Sequence, residues 1–349
     1  MPKTSPASTS ASADASAPAP VVRSLDLGWG WAKYGRMSRA TNELVYESFP
    51  SLAPRHSGMD LSLSVIGQRN TTIVDVEGTL YEVGPDSADL DSNDSSRNLN
   101  DQYIHTEQYK AVFLGALHYI GEPVIDLLVV GLPLSNMTSA AKLKELVVGT
   151  HRIRGDESVT VRDALVVPQP LGGLYYCLAE KEKLGLEFMD EETNLIIDPG
   201  FLTFDFLLAH GRRAVENRSG AHNGGVSKVL RAIAESLSSK FGIKYDNLGA
   251  IDAGLRRRKL KINGGVEELE AHIRNTRSTV EAAVNFMKNI VGDGSDIDNI
   301  VLLGGGAAVY RKTIESFFPR HKLVVLEDAQ LANVRGFQLA GEAYLALRD

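Results

Sequence analysis

Two hydrophobic periods alternate along the chain. Short apolar runs bounded by glycine, proline or aspartate separate longer segments whose apolar residues recur three or four apart. VVRSLDLGWGWAKYGRM, residues 21–37, predicts a strand, a tight turn and a strand, punctuated by Gly28 and Gly30. NTTIVDVEGTLYEVG sets Glu77 and Gly78 between alternating apolar residues, which predicts a further hairpin. HTEQYKAVFLGALHYIG carries Tyr109, Val112, Phe113, Ala116 and Leu117 on one helical face, with Gly121 as its stop. The unbroken apolar run PVIDLLVVGLP predicts a strand covered on both faces. TSAAKLKELVVG predicts a helix behind it, capped by Thr138 or Ser139.

The second half repeats the theme. Leu195 to Asp198 predicts a buried strand, followed by an Asp-Pro-Gly turn and a second strand to Leu208. VSKVLRAIAESLSSKFG predicts a helix. Residues 266–291 predict one long helix striped by Leu269, Ile273, Val280, Val284, Met287 and Ile290. NIVLLGGGAAVYRKTIESFF then gives strand, triple glycine and helix; KLVVLED gives a strand and NVRGFQLAGEAYLAL a closing helix. Strands alternating with helices predict an α/β protein of layered sheets. One strand-glycine-strand unit opening each half suggests a duplication.

Composition narrows the function. A chain of 349 residues with 43% hydrophobic residues suits two domains with ordinary cores. A net charge of −7 argues against direct nucleic-acid binding through bulk charge. The basic stretch LRRRKLKI (255–262) reads as a solvated strand with snorkelling side chains. The lone Cys177 has no disulfide partner and lies in an apolar helical stretch, as packed core; the eight histidines show no metal-ligand spacing. No apolar run approaches the roughly 18 residues that span a bilayer, and a reducing, cytoplasmic setting is the simple expectation. The Ser/Ala/Pro-rich residues 1–20 have no apolar signal core and are expected to be disordered.

The chemistry sits at the glycine turns. DLGWGWAK and DPGFLTFD each end a buried strand with Asp, place Gly two residues on, and resume as a strand. A glycine tip lets backbone N–H groups approach an anion. An Asp at each tip suits a hydrated Mg²⁺, which takes oxygen ligands and keeps several waters. Pro199 has no N–H, so donors in the second turn must come from Gly200 onward. A plain hairpin explains either turn alone; two at equivalent places, with LLGGGAAVY after a buried strand, point to a polyphosphate site.

In this order the segments resemble the actin-like ATPase superfamily. DLGWGWAK is similar to its first phosphate loop, VPQPLGGLYYCL to the first interdomain connector and IDPGFLTFD to the second phosphate loop. VLLGGGAAVYRKTIESFFP is similar to the adenosine segment and NVRGFQLAGEAYL to the second connector. TLYEVGPDSAD, VVGLPLSNM and ANVRGFQLAGEA look most like the plasmid-segregation branch, the ParM/StbA proteins and relatives such as the PRTRC-system protein D.

The resemblance, covering about residues 21–347, implies two ribonuclease-H-like (actin-like) domains flanking a nucleotide cleft. They would be residues 21–168 with 331–349, and residues 169–330. It implies ATP and Mg²⁺ as cofactors, with Asp26 and Asp198 facing the metal and Lys33 neutralising phosphate oxygens. Gly28, Gly30 and Gly200 would donate N–H groups, beside the retained Thr203. Gln169 would orient the attacking water. Gly304, Gly305 and Gly306 would admit the adenosine, and the helix after Gly224 and Gly225 would close over it. Trp29 and Trp31 flank Gly30 where the family carries hydroxyls. Phe201 and Leu202 replace a Gly and a Thr, which implies binding through backbone amides and slow hydrolysis. The implied partners are further copies of the chain in a filament and a DNA-bound adaptor, without direct base reading. A nucleotide-dependent interaction protein with weak hydrolysis, and a small-molecule kinase, share the same cleft and stand as alternatives.

Overall fold

The computed structural model describes residues 19–58, 69–91 and 103–348. Residues 1–18 of the expected disordered tail and most of the polar segment DSADLDSNDSSRNLND (86–101) lie outside the described residues.

The first half contains β1 (Val22–Leu27), β2 (Trp31–Met37), β3 (Leu44–Pro50), β4 (Thr72–Val76), β5 (Thr79–Val83), α1 (Glu107–Ile120), β6 (Val124–Leu132), α2 (Ala140–Val147), β7 (Gly149–Arg154) and β8 (Glu157–Pro168). Its main sheet runs β3-β2-β1-β6-β8-β7; β1 and β2 are antiparallel, whereas β1, β6 and β8 are parallel. The β4–β5 turn has positive φ at both Glu77 and Gly78, the tight hairpin that the sequence predicts. α1 starts where the Thr106 hydroxyl accepts the Tyr109 N–H and stops at Gly121 in the left-handed region (φ 75°).

The second half follows with α3 (Gln169–Ala179), α4 (Lys181–Leu184), β9 (Thr193–Pro199), β10 (Phe204–His210), β11 (Arg213–Ala214), β12 (Gly220–His222), α5 (Val226–Phe241), α6 (Leu248–Arg257), β13 (Lys259–Ile262), β14 (Gly265–Glu268), α7 (Glu270–Arg274), α8 (Arg277–Val291), β15 (Asn299–Leu302), α9 (Ala307–Phe317), β16 (Leu323–Val325) and α10 (Ala332–Ala346). Its sheet runs β11-β10-β9-β15-β16. The β9–β10 hairpin is antiparallel and β9, β15 and β16 are parallel, so the pairing scheme of the first half recurs.

Two local expectations fail. Residues 266–291 are not one helix. Asn263 and Gly264 both take positive φ and turn β13 back into β14, after which the chain breaks again between α7 and α8. The apolar stripe is real, because Leu269, Val280, Val284 and Met287 are buried, but it serves several elements. At α2, Ser139 holds the cap position without a side-chain cap bond, because a 3-10 turn at Leu134–Ser139 already leads into the helix.

Each half has its own apolar core. The segments joining the halves, α3 and α10, cross at glycines: a Cβ on Gly336 would collide with the Gly172 backbone. α10 then closes on the first sheet, with Phe337 packed among Val22, Leu127 and Val129.

Candidate functional site

The ends of β1 and β9 bring Asp26 and Asp198, both buried, to one cleft of about 570 Å³ between the halves. In the first hairpin Asp26 stands opposite Lys33, whose Nζ donates to its Oδ2 at 2.7 Å. In the second, Asp198 stands opposite Asp205. The spacing is the same in both hairpins, so Asp205 occupies the place equivalent to Lys33.

Each connecting helix delivers an amide to one aspartate. Gln169, the first residue of α3, donates Nε2 to Asp26 Oδ1 at 2.6 Å. Asn333, near the start of α10, donates Nδ2 to Asp198 Oδ2 at 2.6 Å, while its own Oδ1 is buried without a partner. Asp205 accepts the backbone N–H of Leu134 from the other half, at 2.9 Å.

Three buried carboxylates thus lie together, and the one ammonium among them, Lys33, pairs with Asp26 and acts on Asp198. Burial pushes the Asp198 carboxyl up to about 6, against the pull of Lys33 and the Asn333 hydrogen bond. Burial, with Asp198 and Asp26 nearby, pushes Asp205 to about 7, against a hydrogen bond from Thr203. For Lys33, burial works downward, but Asp26 and then Asp198 outweigh it and hold the ammonium above its ordinary value. This surplus of negative charge, with an unpartnered amide oxygen beside it, fits a divalent cation. Among the described residues no three His, Cys, Asp or Glu side chains converge as a closed metal cage. The donor set therefore suits an ion that keeps most of its waters, as Mg²⁺ does.

Of the residues singled out in the sequence, Asp26, Gly28, Gly30, Lys33, Gln169, Asp198, Gly200, Thr203, Gly305 and Gly306 all line the cleft. Gly304, Gly224 and Gly225 stand behind it. Gly304 takes φ +82° with its Cα against Asp198, where any Cβ would strike the carboxylate. Gly225 precedes α5 and donates to Leu202 O, while Val226 and Ser227 donate to Gly200 O and Phe201 O at 3.0 and 2.7 Å. The first amides of α5 thus hold the second glycine turn in place. The N–H groups of Gly28 and Gly200 also close their own hairpins, onto Trp31 O and Thr203 O. Gly305 differs: nothing lies within 4 Å of where its Cβ would be.

The outer cleft is walled by α6, α7, α8 and α9 through Leu255, Ile273, Arg277, Val280, Val309 and Lys312, with α5 adding only Val226 and Val229. Trp29 is buried and stacked on Tyr103 at 6.1 Å; Trp31 is half-buried, and both reach the cleft. Cys177 is core, its thiol raised by burial to about 12. In LRRRKLKI only residues 259–262 are strand, with Lys259 and Lys261 exposed. Sequence reasoning passed over Asn333 and Asp205. Asp205 carried a signal, its seven-residue spacing from Asp198; the partner of Asn333 emerges only once α10 is in place.

No helix among the described residues is long and apolar enough to cross a membrane. Residues 24–172 match the family model of the N-terminal domain of actin-like proteins, and residues 196–316 that of the archaeal actin homologue MreB-like C-terminal domain. No curated protein matches the chain by sequence. Among solved structures, the archaeal actin homologue Ta0583 in complex with ADP aligns over 93% of this chain and 99% of its own (17% identity, TM-score 0.69). A 15-stranded ParM filament from Clostridium botulinum aligns over 93% and 99% (17% identity, TM-score 0.71). The Alp12 filament aligns over 93% and 98% (16% identity, TM-score 0.60). These likenesses are of fold, and they agree with the duplicated sheets and the cleft between them. The chain belongs to the actin-like superfamily.

Proposed function

We propose that this protein binds Mg-ATP in the cleft and assembles into filaments of its own copies, in the manner of a plasmid-partitioning actin working through a DNA-bound adaptor. The observation that carries the nucleotide reading is the pair of equivalent hairpins presenting Asp26 with Lys33, and Asp198, to one cleft. Residues 21–168 with 331–349 form one domain in this reading, and residues 169–330 the other. The filament reading is supported by the ParM and Alp12 filament structures that share the fold.

Mg²⁺, when bound, would neutralise phosphate oxygens and lower the barrier to phosphoryl transfer. Asp26 and Asp198 would hold it through its waters. Lys33 would add a protein cation at the phosphates, and Gln169 Oε1 would orient the attacking water. Gly305 and Gly306 would leave room for the nucleoside. Hydrolysis would be slow, because Phe201 and Leu202 bring no hydroxyl to the second turn. That feature favours the alternative reading of a nucleotide-dependent interaction protein with little turnover.

High-speed pelleting with Mg-ATP, Mg-ADP or no nucleotide, with phosphate release followed in the same tubes, separates the two. Pelleting that needs Mg-ATP and fades as phosphate appears supports the dynamic filament. Saturable ATP binding without pelleting or turnover supports the alternative.

A further inference from the structure

The second glycine turn belongs to the second half of the chain, yet its two large side chains reach into the first. Leu202 packs on the apolar core of the first half, and Phe201 packs on the cores of both. Opposite Phe201 is Gly30, where a Cβ would lie 3.1 Å from the ring; the first turn has room for the ring because residue 30 has no side chain. Phe201 and Trp31 also line both the main cleft and a second cavity of about 360 Å³. That cavity is walled by Pro50 and Leu52 from the first half and by Leu248 and Arg257 from the second. With Asp252, which also lines both, these residues stand between the two cavities. The backbone under Phe201 is held fast, since Phe201 O accepts the Ser227 N–H at 2.7 Å. The turn that carries the ring therefore moves with the second half if the halves separate.

We infer that Phe201 and Leu202 are an apolar latch across the cleft, positioning residues that join the two glycine turns and make nucleotide release depend on their withdrawal. Apolar contact area resists separation whether or not a phosphate fills the space between the turns. The latch thus holds the cleft closed after phosphate has left, when a cleft held only by contacts to the terminal phosphate would relax. The kinetic half of this inference rests on the nucleotide reading; the closure itself does not.

Two measurements on the full chain test it: hydrogen exchange of the unliganded protein, and stopped-flow release of a fluorescent (mant) ADP with Mg²⁺. Phe201→Ala should raise exchange in residues 28–33 and at the Leu134 amide. It should also speed mant-ADP release by about tenfold, the factor given by losing roughly 1.4 kcal/mol. Phe201→Tyr, which keeps the ring, should restore exchange and release to near wild type. Leu202→Ala should act in the same direction and serves if Phe201→Ala does not fold. Unchanged exchange at residues 28–33 in both alanine variants would overturn the latch. So would release within about twofold of wild type, too small a change for lost contact area. If wild type binds no mant-ADP, the nucleotide reading falls and the exchange measurement alone decides the closure.

Discussion

Replacing Gly336 with alanine tests how the two halves are joined. At the crossing of α3 and α10, the new Cβ would lie 2.5 Å from the carbonyl carbon of Gly172 and 3.0 Å from its Cα, and closer still to its oxygen. Ordinary contact begins near 3.4 Å, and every clashing atom is backbone, so no rotamer change relieves it. The helices must part by about an ångström, which forfeits a large share of the dispersion at the contact. With the strain of overpacking, the cost is about 3 kcal/mol. For a protein of 349 residues that lowers the melting temperature by roughly 4 °C. The displacement reaches the site as well, because Gln169 precedes Gly172 and Asn333 precedes Gly336 by one turn, and these amides hold Asp26 and Asp198. Thermal and urea denaturation of Gly336→Ala, beside Gly305→Ala as a control with open space, provides the measurement. A Gly336→Ala protein within about 0.5 kcal/mol of wild type, the spread of unremarkable surface changes, would refute the crossing as described.

The triple glycine should divide by role. Gly305→Ala should leave stability unchanged yet weaken ATP binding, because its Cβ enters the cleft. Gly304→Ala should destabilise the unliganded protein, since φ is +82° and the Cβ meets Asp198; paired melting and binding curves distinguish the two. The buried carboxylates predict a pH dependence. Asp198 and Asp205 titrate near 6 and 7 in the native state against an ordinary 3.8, so the folded protein binds more protons than the unfolded chain across this window. Their contribution should therefore fall as pH rises from about 4 to 7 in the absence of divalent cations. Urea denaturation at several pH values with EDTA should show that decline, and Asp198→Asn should flatten it.

Much of the fold was legible because its signals are local. Asp-x-Gly turns between apolar runs, the Glu77-Gly78 hairpin and the Gly121 stop each depend on a few neighbouring residues. The ordered segments carried the superfamily, and with it the residues at the base of the cleft. The β13–β14 hairpin also had a local signal, Asn263-Gly264, but the helical spacing of Leu269, Ile273 and Val280 masked it. What was not legible depends on distant chain: Asn333 meets Asp198 across 135 residues, and the first amides of α5 meet Gly200, Phe201 and Leu202 through tertiary placement. Gly172 and Gly336 were visible as glycines in the two connectors, but nothing in either segment says that they touch.

The most direct test of the cleft is a binding titration of the purified full chain with ATP, with and without Mg²⁺, alongside Asp198→Asn and Lys33→Ala. Saturable binding that requires Mg²⁺ and weakens by about tenfold or more in both variants is the predicted result, Lys33→Ala losing a cation at the phosphates and Asp198→Asn an anion at the metal. Absence of ATP binding by wild type with Mg²⁺, or full affinity retained in both variants, would contradict it.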